Sequence, residues 1–221
     1  MALGHGPTIV RDGLVLHLDA ANPKSYPGTG TDWFDLSGNG NHGTLINNPT
    51  YSSDNKGTFV FDGANDYAEV PGDYHLFSEL TIDFWFKPAN NISSAANESG
   101  RPWGKGTHLE SRFIEGTFHL DIGDDAGLSS ATASWDNTTW YNVTSVLLTS
   151  STEVYVQSEL DGTGTIGPFT SQTETFQIGK SQAPAGSLFP GNISSFKIYN
   201  RALTAAEVAQ NFNAMRGRYG L

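Results

Sequence analysis

Two carboxylates stand four residues apart in "FDGANDY", Phe61 to Tyr67, on either side of a glycine-containing turn. Asp62 and Asp66 can converge on one point there, and hard oxygen ligands of this kind, joined by backbone carbonyls, suit Ca2+. The same spacing also suits a plain turn, because Asp readily hydrogen-bonds its own backbone. Sugar recognition asks for aromatic platforms beside planar polar groups. Trp103 in "ESGRPWGKGTHLE" and Trp135 in "SSATASWDNTTW" are expected on loops, near Arg101, Lys105, Asp136 and Asn137. They form the candidate ligand surface; the alternative is that each ring lies down on the body of the domain.

Other chemistries find little footing. The chain has no G-x-S-x-G elbow, no H-E-x-x-H and no glycine-rich phosphate loop leading into a helix. His5, His17, His42, His75, His108 and His119 lack ligand-like spacing. His17 and His119 fall in strand alternations, where a partly buried, hydrogen-bonded imidazole needs no further role.

The elements that must position these residues are short and alternating. Leu14–Leu18, Thr58–Asp62, Tyr67–Val70, Leu80–Lys87, Thr117–Ile122, Trp140–Thr149, Thr152–Gln157, Thr175–Gly179 and Asn192–Asn200 read as strands. In Leu80–Lys87, Ile82, Phe84 and Phe86 share one face, and Thr81, Asp83, Trp85 and Lys87 share the other. A period of two predicts one buried and one wet face. "PGTG", "SGNG", "DGAN", "IGDDAG", "DGTG" and "APAG" supply turns between the strands. The pattern predicts an all-β antiparallel sandwich, and the missing crossover helices exclude a parallel α/β fold. "TDWFDLSGNGNHGTL", Thr31 to Leu45, is too rich in Gly and Asn for a core and must be a tightly wound connection. Lys87–Gly106 is expected to be a long mobile loop. One helix is expected near the end: Thr204 as N-cap, Glu207 completing a capping box, Leu203 and Val208 as staple, and Gly217 as the stop.

Composition bounds the rest. The 221 residues suit one β-rich domain, and no apolar run approaches the roughly 20 residues that span a bilayer. The start "MALGHGPTIV" has neither a basic region nor an apolar core of a secretory signal. With no cysteine, packing alone must hold the fold. A net charge of −11 opposes nucleic acid and anionic lipid. Asn-x-Ser/Thr sites at Asn91, Asn97, Asn137, Asn142 and Asn192 are glycan acceptors only in a eukaryotic secretory route.

"GLVLHLDAAN", "WFDLSGNGNHGTL", "FVFDGANDYAEV", "LTIDFWFKP", "WYNVTSVL" and "GNISSFKIYNRALTAAEVAQNF", in this order, resemble the concanavalin A-like lectin/glucanase superfamily, specifically laminin-G-like domains of the pentraxin type. The resemblance implies a two-sheet jelly roll. It also implies one structural Ca2+, with Asp62 and Asp66 as ligands and Asp19 and the backbone around Gly191–Asn192 completing the shell. Glucanases of the superfamily alternate three carboxylates on one strand. The nearest stretch here, "FHLDIGDD", has His119 and Gly123 where carboxylates are wanted, and Glu79 with Asp83 lack a third; no catalytic residue is expected.

Both ends of the chain resemble stand-alone laminin-G-like proteins of tailed bacteriophages. The expectation is a non-enzymatic virion structural or decoration protein, on capsid or tail, displaying a lectin-like domain and assembled in the bacterial cytoplasm. The alternative is a carbohydrate-binding adhesin for host attachment. Expected partners are phage capsid or tail proteins and surface glycans, with self-association left open. Residues 1–11 are expected as an arm, 12–216 as the domain and 217–221 as a tail, the arm or tail serving as anchor.

Overall fold

The computed structural model describes residues 7–74, 77–94, 100–106, 109–122, 126–165, 174–181 and 188–221. His5, His75, His108, Asn97 and Gly123 of the sequence reading lie outside them. The first sheet contains β1 (Leu14–Asp19), β4 (Thr50–Ser52), β5 (Thr58–Asp62), β7 (Leu80–Pro88), β12 (Tyr141–Leu147), β13 (Thr152–Val156), β14 (Glu159–Gly164) and β16 (Pro190–Tyr199). The second contains β2 (Asp32–Trp33), β3 (Gly43–Ile46), β6 (Tyr67–Val70), β8 (Trp103–Lys105), β9 (Leu109–Ile114), β10 (Thr117–Ile122), β11 (Ala126–Ser129) and β15 (Phe176–Ile178). The first sheet runs β14-β13-β12-β7-β16-β5-β4, and β1 also pairs with β16. Long β16 lies along β7 on one edge and serves two partners on the other: Pro190–Ile193 meet β5, and Ser195–Tyr199 meet β1. The second sheet runs β11-β10-β9-β8-β15-β6-β3-β2. All described pairings within both sheets are antiparallel, as the alternation requires.

Between the sheets lies a core dominated by aromatic rings. Phe84, Phe86, Phe113, Phe118, Trp103 and Trp135 are all wholly buried in it. Phe86 and Trp135 lie 5.6 Å apart, and Trp103 stacks on Phe176 at 5.9 Å. Burial of each such ring contributes roughly 2–3 kcal/mol.

Strand β7 departs from the half-wet expectation. Thr81, Asp83 and Trp85 on its outer face are as buried as Ile82, Phe84 and Phe86. The cause is a second layer: α1 (Ala205–Met215) lies over that face. Trp85 stacks on Phe212 and Tyr219, with centroids at 5.6 and 4.0 Å. Tyr199, Leu203 and Val208 pack with Val10 in a neighbouring cluster. Asp83 is tolerated there because Lys197 Nζ sits 2.6 Å away, while Thr144 and Asn142 donate to its other oxygen.

The helix begins as its sequence predicts. Thr204 accepts from the Glu207 amide, and Glu207 accepts from the Thr204 amide at 2.9 Å. Past Met215 the chain tightens into a 3-10 turn, Arg216–Arg218, so Gly217 lies inside a turn instead of stopping the helix. The terminal segments are integrated: the Val10 amide donates to Asn211, Tyr219 is buried, and Arg218 Nη1 pairs with Asp19 at 2.6 Å. The wound connection is also as expected. Asp35 accepts from the amides of His17, Ser37 and Asn41, and Gly38 and Gly40 take φ of 96° and 76°.

Candidate functional site

A two-sheet sandwich offers two outer faces. The first sheet's is covered at its centre by α1 and the C-terminal turn; on the second sheet, Leu109, Ser111 and Phe113 of β9 face the core, so alternation turns Arg112, half-buried, and Glu110, buried beneath Ser181, to the outer side. Register then sets Arg112 opposite His119 and His119 opposite Ser129, so one row crosses three strands. In the adjacent row Glu110, Asp121 and Gly127 align.

The rows are knitted together. Arg112 Nε lies 2.6 Å from one oxygen of Asp121, and Nη2 donates to the other at 3.1 Å. His119 Nε2 lies 3.1 Å from Asp121 Oδ1, while Nδ1 contacts the exposed Ser129 hydroxyl at 2.8 Å. Burial works to raise the Asp121 pKa, but His119 and Arg112 outweigh it and hold the carboxylate below its usual range. Gly127 leaves the room that this position of the imidazole occupies: a Cβ there would meet His119 Nε2 at 2.0 Å. Three strands along, about 14 Å away at about 4.8 Å per strand, half-buried Tyr67 carries Lys180 Nζ 4.3 Å from its ring centre. Between them Ser181 folds over Gly104 and bonds Glu110, which also pairs with Arg101.

The residues singled out by sequence fall elsewhere. Trp103, expected on a loop, lies in β8; Trp135 forms a bridge with Ile92, and its Nε1 donates to Gly116 O at 2.7 Å. Both rings are sealed in the core, so neither offers a face to a sugar. Arg101 is buried on Glu110. Asp136 and Asn137 do share a surface turn: Asp136 accepts from the Thr138 and Thr139 amides and from Tyr141 Oη, and Asn137 is tied to Asn91. The Thr138 hydroxyl, which also donates to Asp136, leads these bonds, and with the side chain of Thr139 and the Thr138 amide it holds the Asp136 carboxylate far below its usual range. The long loop expected over Lys87–Gly106 is broken by β8 and by the Ile92 bridge.

The expected calcium shell does not assemble as a set of four. Asp62 Oδ1 accepts from the amides of Ala64, Asn65 and Asp66, the plain-turn alternative. Asp66 is raised by burial and by the Asp62 charge, so these two are close. Asp19, however, pairs with Arg218 and aligns with Ser195 on β16, whereas Asp62 aligns with Pro190. The five-residue offset along β16 amounts to roughly 16 Å. Asn192 aligns with Val60 and Lys87 between them. Among the described residues no group of three or more acidic or histidine side chains is arranged to hold a metal.

Residues 62–209 match the Laminin G 3 family of the concanavalin A-like lectin/glucanases superfamily. The chain belongs to this family. No curated protein sequence matches it. Solved structures resemble this laminin-G-like chain at the level of fold. The binding domain of Paraclostridial Mosquitocidal Protein 1 superimposes with a TM-score of 0.74 at 14% identity, covering 92% of this chain and 52% of that one. The receptor binding domain of botulinum neurotoxin C/D mosaic serotype gives 0.70 at 14%, covering 92% and 51%. This chain thus spans about half the length of those toxin domains. Domain 4 of AbnA, an extracellular arabinanase from Geobacillus stearothermophilus solved with arabinotriose, gives 0.69 at 19%, covering 90% and 98%.

The outward row on β9–β11 left little trace in the sequence. "FHLDI" shows its alternation, but "LESRFI" was not recognised as a strand, so Arg112 had no place beside His119.

Proposed function

We propose that this protein is a non-catalytic glycan-recognition domain whose binding face is the outward row Arg112, His119 and Ser129, with Asp121 of the adjacent row. The observation that carries the reading is the asymmetry of the sandwich: the centre of one outer face is covered by α1 and the C-terminal turn, while the other carries planar polar groups in register with an exposed hydroxyl. Guanidinium, imidazole and carboxylate groups fixed by each other lose little freedom on binding vicinal hydroxyls. The arabinotriose-bound relative supports a sugar as the ligand class.

The same geometry argues against turnover. Glu110 and Asp121 face each other across β9 and β10, but each carboxylate is engaged by an arginine, and Asp121 is held too acidic to serve as a general acid at neutral pH. Ser129 touches His119, yet the following amide, Ser130 N, is spent on Phe118 O at 2.8 Å and cannot stabilise an oxyanion. A fluorophosphonate probe will leave Ser129 unlabelled; stoichiometric labelling would overturn the non-catalytic reading.

A bacteriophage particle is the proposed setting, with capsid or tail proteins as partners; it rests on the resemblance of the chain's two ends. Co-sedimentation with empty capsids tests it, and a protein left wholly in the supernatant contradicts it. The sugar reading is tested on a panel of bacterial envelope polysaccharides. Arg112→Ala is expected to weaken binding about tenfold or more, as loss of a central polar anchor does, in a folded protein whose melting temperature falls only by what a part-exposed ion pair contributes. Undiminished binding would remove the face from the account.

A further inference from the structure

A cavity of about 370 Å³ opens beside β1 on the other sheet, where the N-terminal segment, the turn after β1 and the end of α1 meet. This volume lies within the range of small-molecule sites. Arg11, His17, Asn22, Lys24, Leu36 and Met215 line it. Its polar groups are largely uncommitted. Arg11 and Lys24 enter no ion pair among the described residues, unlike Arg112, Lys197, Arg201 and Arg218. The ring of His17 makes no side-chain hydrogen bond, and its Nε2 is buried without a partner. Buried polar atoms are seldom left unsatisfied. The Asn22 oxygen accepts from the Lys24 amide at 3.0 Å, which leaves its NH2 group to donate. Asp19 also borders the cavity, but Arg218 neutralises it at 2.6 Å. The outcome is a locally cationic hollow in a chain of net charge −11, with a thioether and a leucine as its apolar wall.

We infer that this cavity binds an acidic sugar unit. Arg11 and Lys24 face the carboxylate, Asn22 and the His17 imidazole meet hydroxyls, and Leu36 with Met215 cover the C–H face. The site is separate from the row on β9–β11. It is tested by titrating the full chain with D-glucuronate, its methyl glycoside and D-glucose, following imidazole and amide NMR signals. Saturable binding of the acid or its glycoside is expected, with shifts at His17, and glucose at least about tenfold weaker; binding of the glycoside marks a chain-terminal unit as acceptable. Arg11→Gln with Lys24→Gln, both on the surface, should lower affinity about tenfold without moving the melting temperature. Equal affinity for glucose, no binding of either acid, or unchanged affinity in the double variant would overturn the inference. His17→Phe adds a second arm: expected to weaken binding in a folded protein, it leaves the decision to the charge variants if it does not fold.

Discussion

At the scale of single residues, type alone was a poor guide to place. Trp103 and Trp135 sat among small polar residues and looked like loop aromatics, yet both fill the inter-sheet core. A tryptophan announces large apolar area, and whether that area meets protein or ligand is settled by partners distant in sequence, here Phe176, Phe86 and Phe113. Trp135→Ala should therefore cost about 3–5 kcal/mol of stability, read by urea denaturation; a folded, equally stable variant would contradict its core role. Gly127→Ala is the complementary case. A methyl there must push His119 aside, so sugar binding should fall while the fold persists, seen as lost binding with an unchanged urea midpoint. His17 supplies a pH signature. Burial and then the Lys197 charge lower its pKa to about 4, against opposing effects of Asp19, Asp83 and Asp35. The unfolded chain takes up this proton near pH 6.5 and the folded chain only near 4, so stability falls as pH drops through that window. His17→Gln should flatten the fall in melting temperature between those values, and an unaltered profile would remove His17 as its source.

At the scale of elements, what was local was legible. The Thr204 cap, the Asp35 connection and the strands whose alternation is intact were readable because each is fixed by neighbours within a few residues. Strands β2, β3, β4, β8, β9, β11 and β14 carry no such signal: they are short or carry charges and glycine, and they exist because the adjoining strands hold them. The outer face of β7 was misread for a related reason. Its wet-looking Thr81, Asp83 and Trp85 are covered by a helix about 120 residues later. The end of the chain belongs to this layer. Deleting residues 217–221 removes the stacked Tyr219 and Arg218, with its bonds to Asp19 and Gly57, and should lower stability by about 3 kcal/mol or more. A melting temperature unmoved by that deletion would return the segment to the role of a loose tail. The helix start makes a smaller, pH-linked contribution. Glu207 is lowered to about 2, first by Arg201 and then by the Thr204 bonds, against burial. Its contribution is present above the ordinary glutamate pKa and is lost as pH falls toward 2, more weakly in salt because the pair is part-exposed. Thr204→Ala should cost about 1 kcal/mol at neutral pH.

At the scale of the whole molecule, the fold follows from one asymmetry. A sandwich needs only one buried face per sheet, and this chain lays the one α-helix among its described residues over the centre of the first sheet, leaving the second sheet to carry its polar row. The family resemblance located the fold; it could not locate the site, because a row across three strands is defined by register and by no contiguous motif. The most direct test of that site is the footprint of a bound oligosaccharide, taken as the best binder from the envelope-polysaccharide panel and mapped by NMR side-chain and amide shifts. The account predicts perturbations centred on Arg112, His119 and Ser129. Perturbations confined to the 62–66 turn or the 136–137 turn, with the β9–β11 signals unmoved, would contradict it.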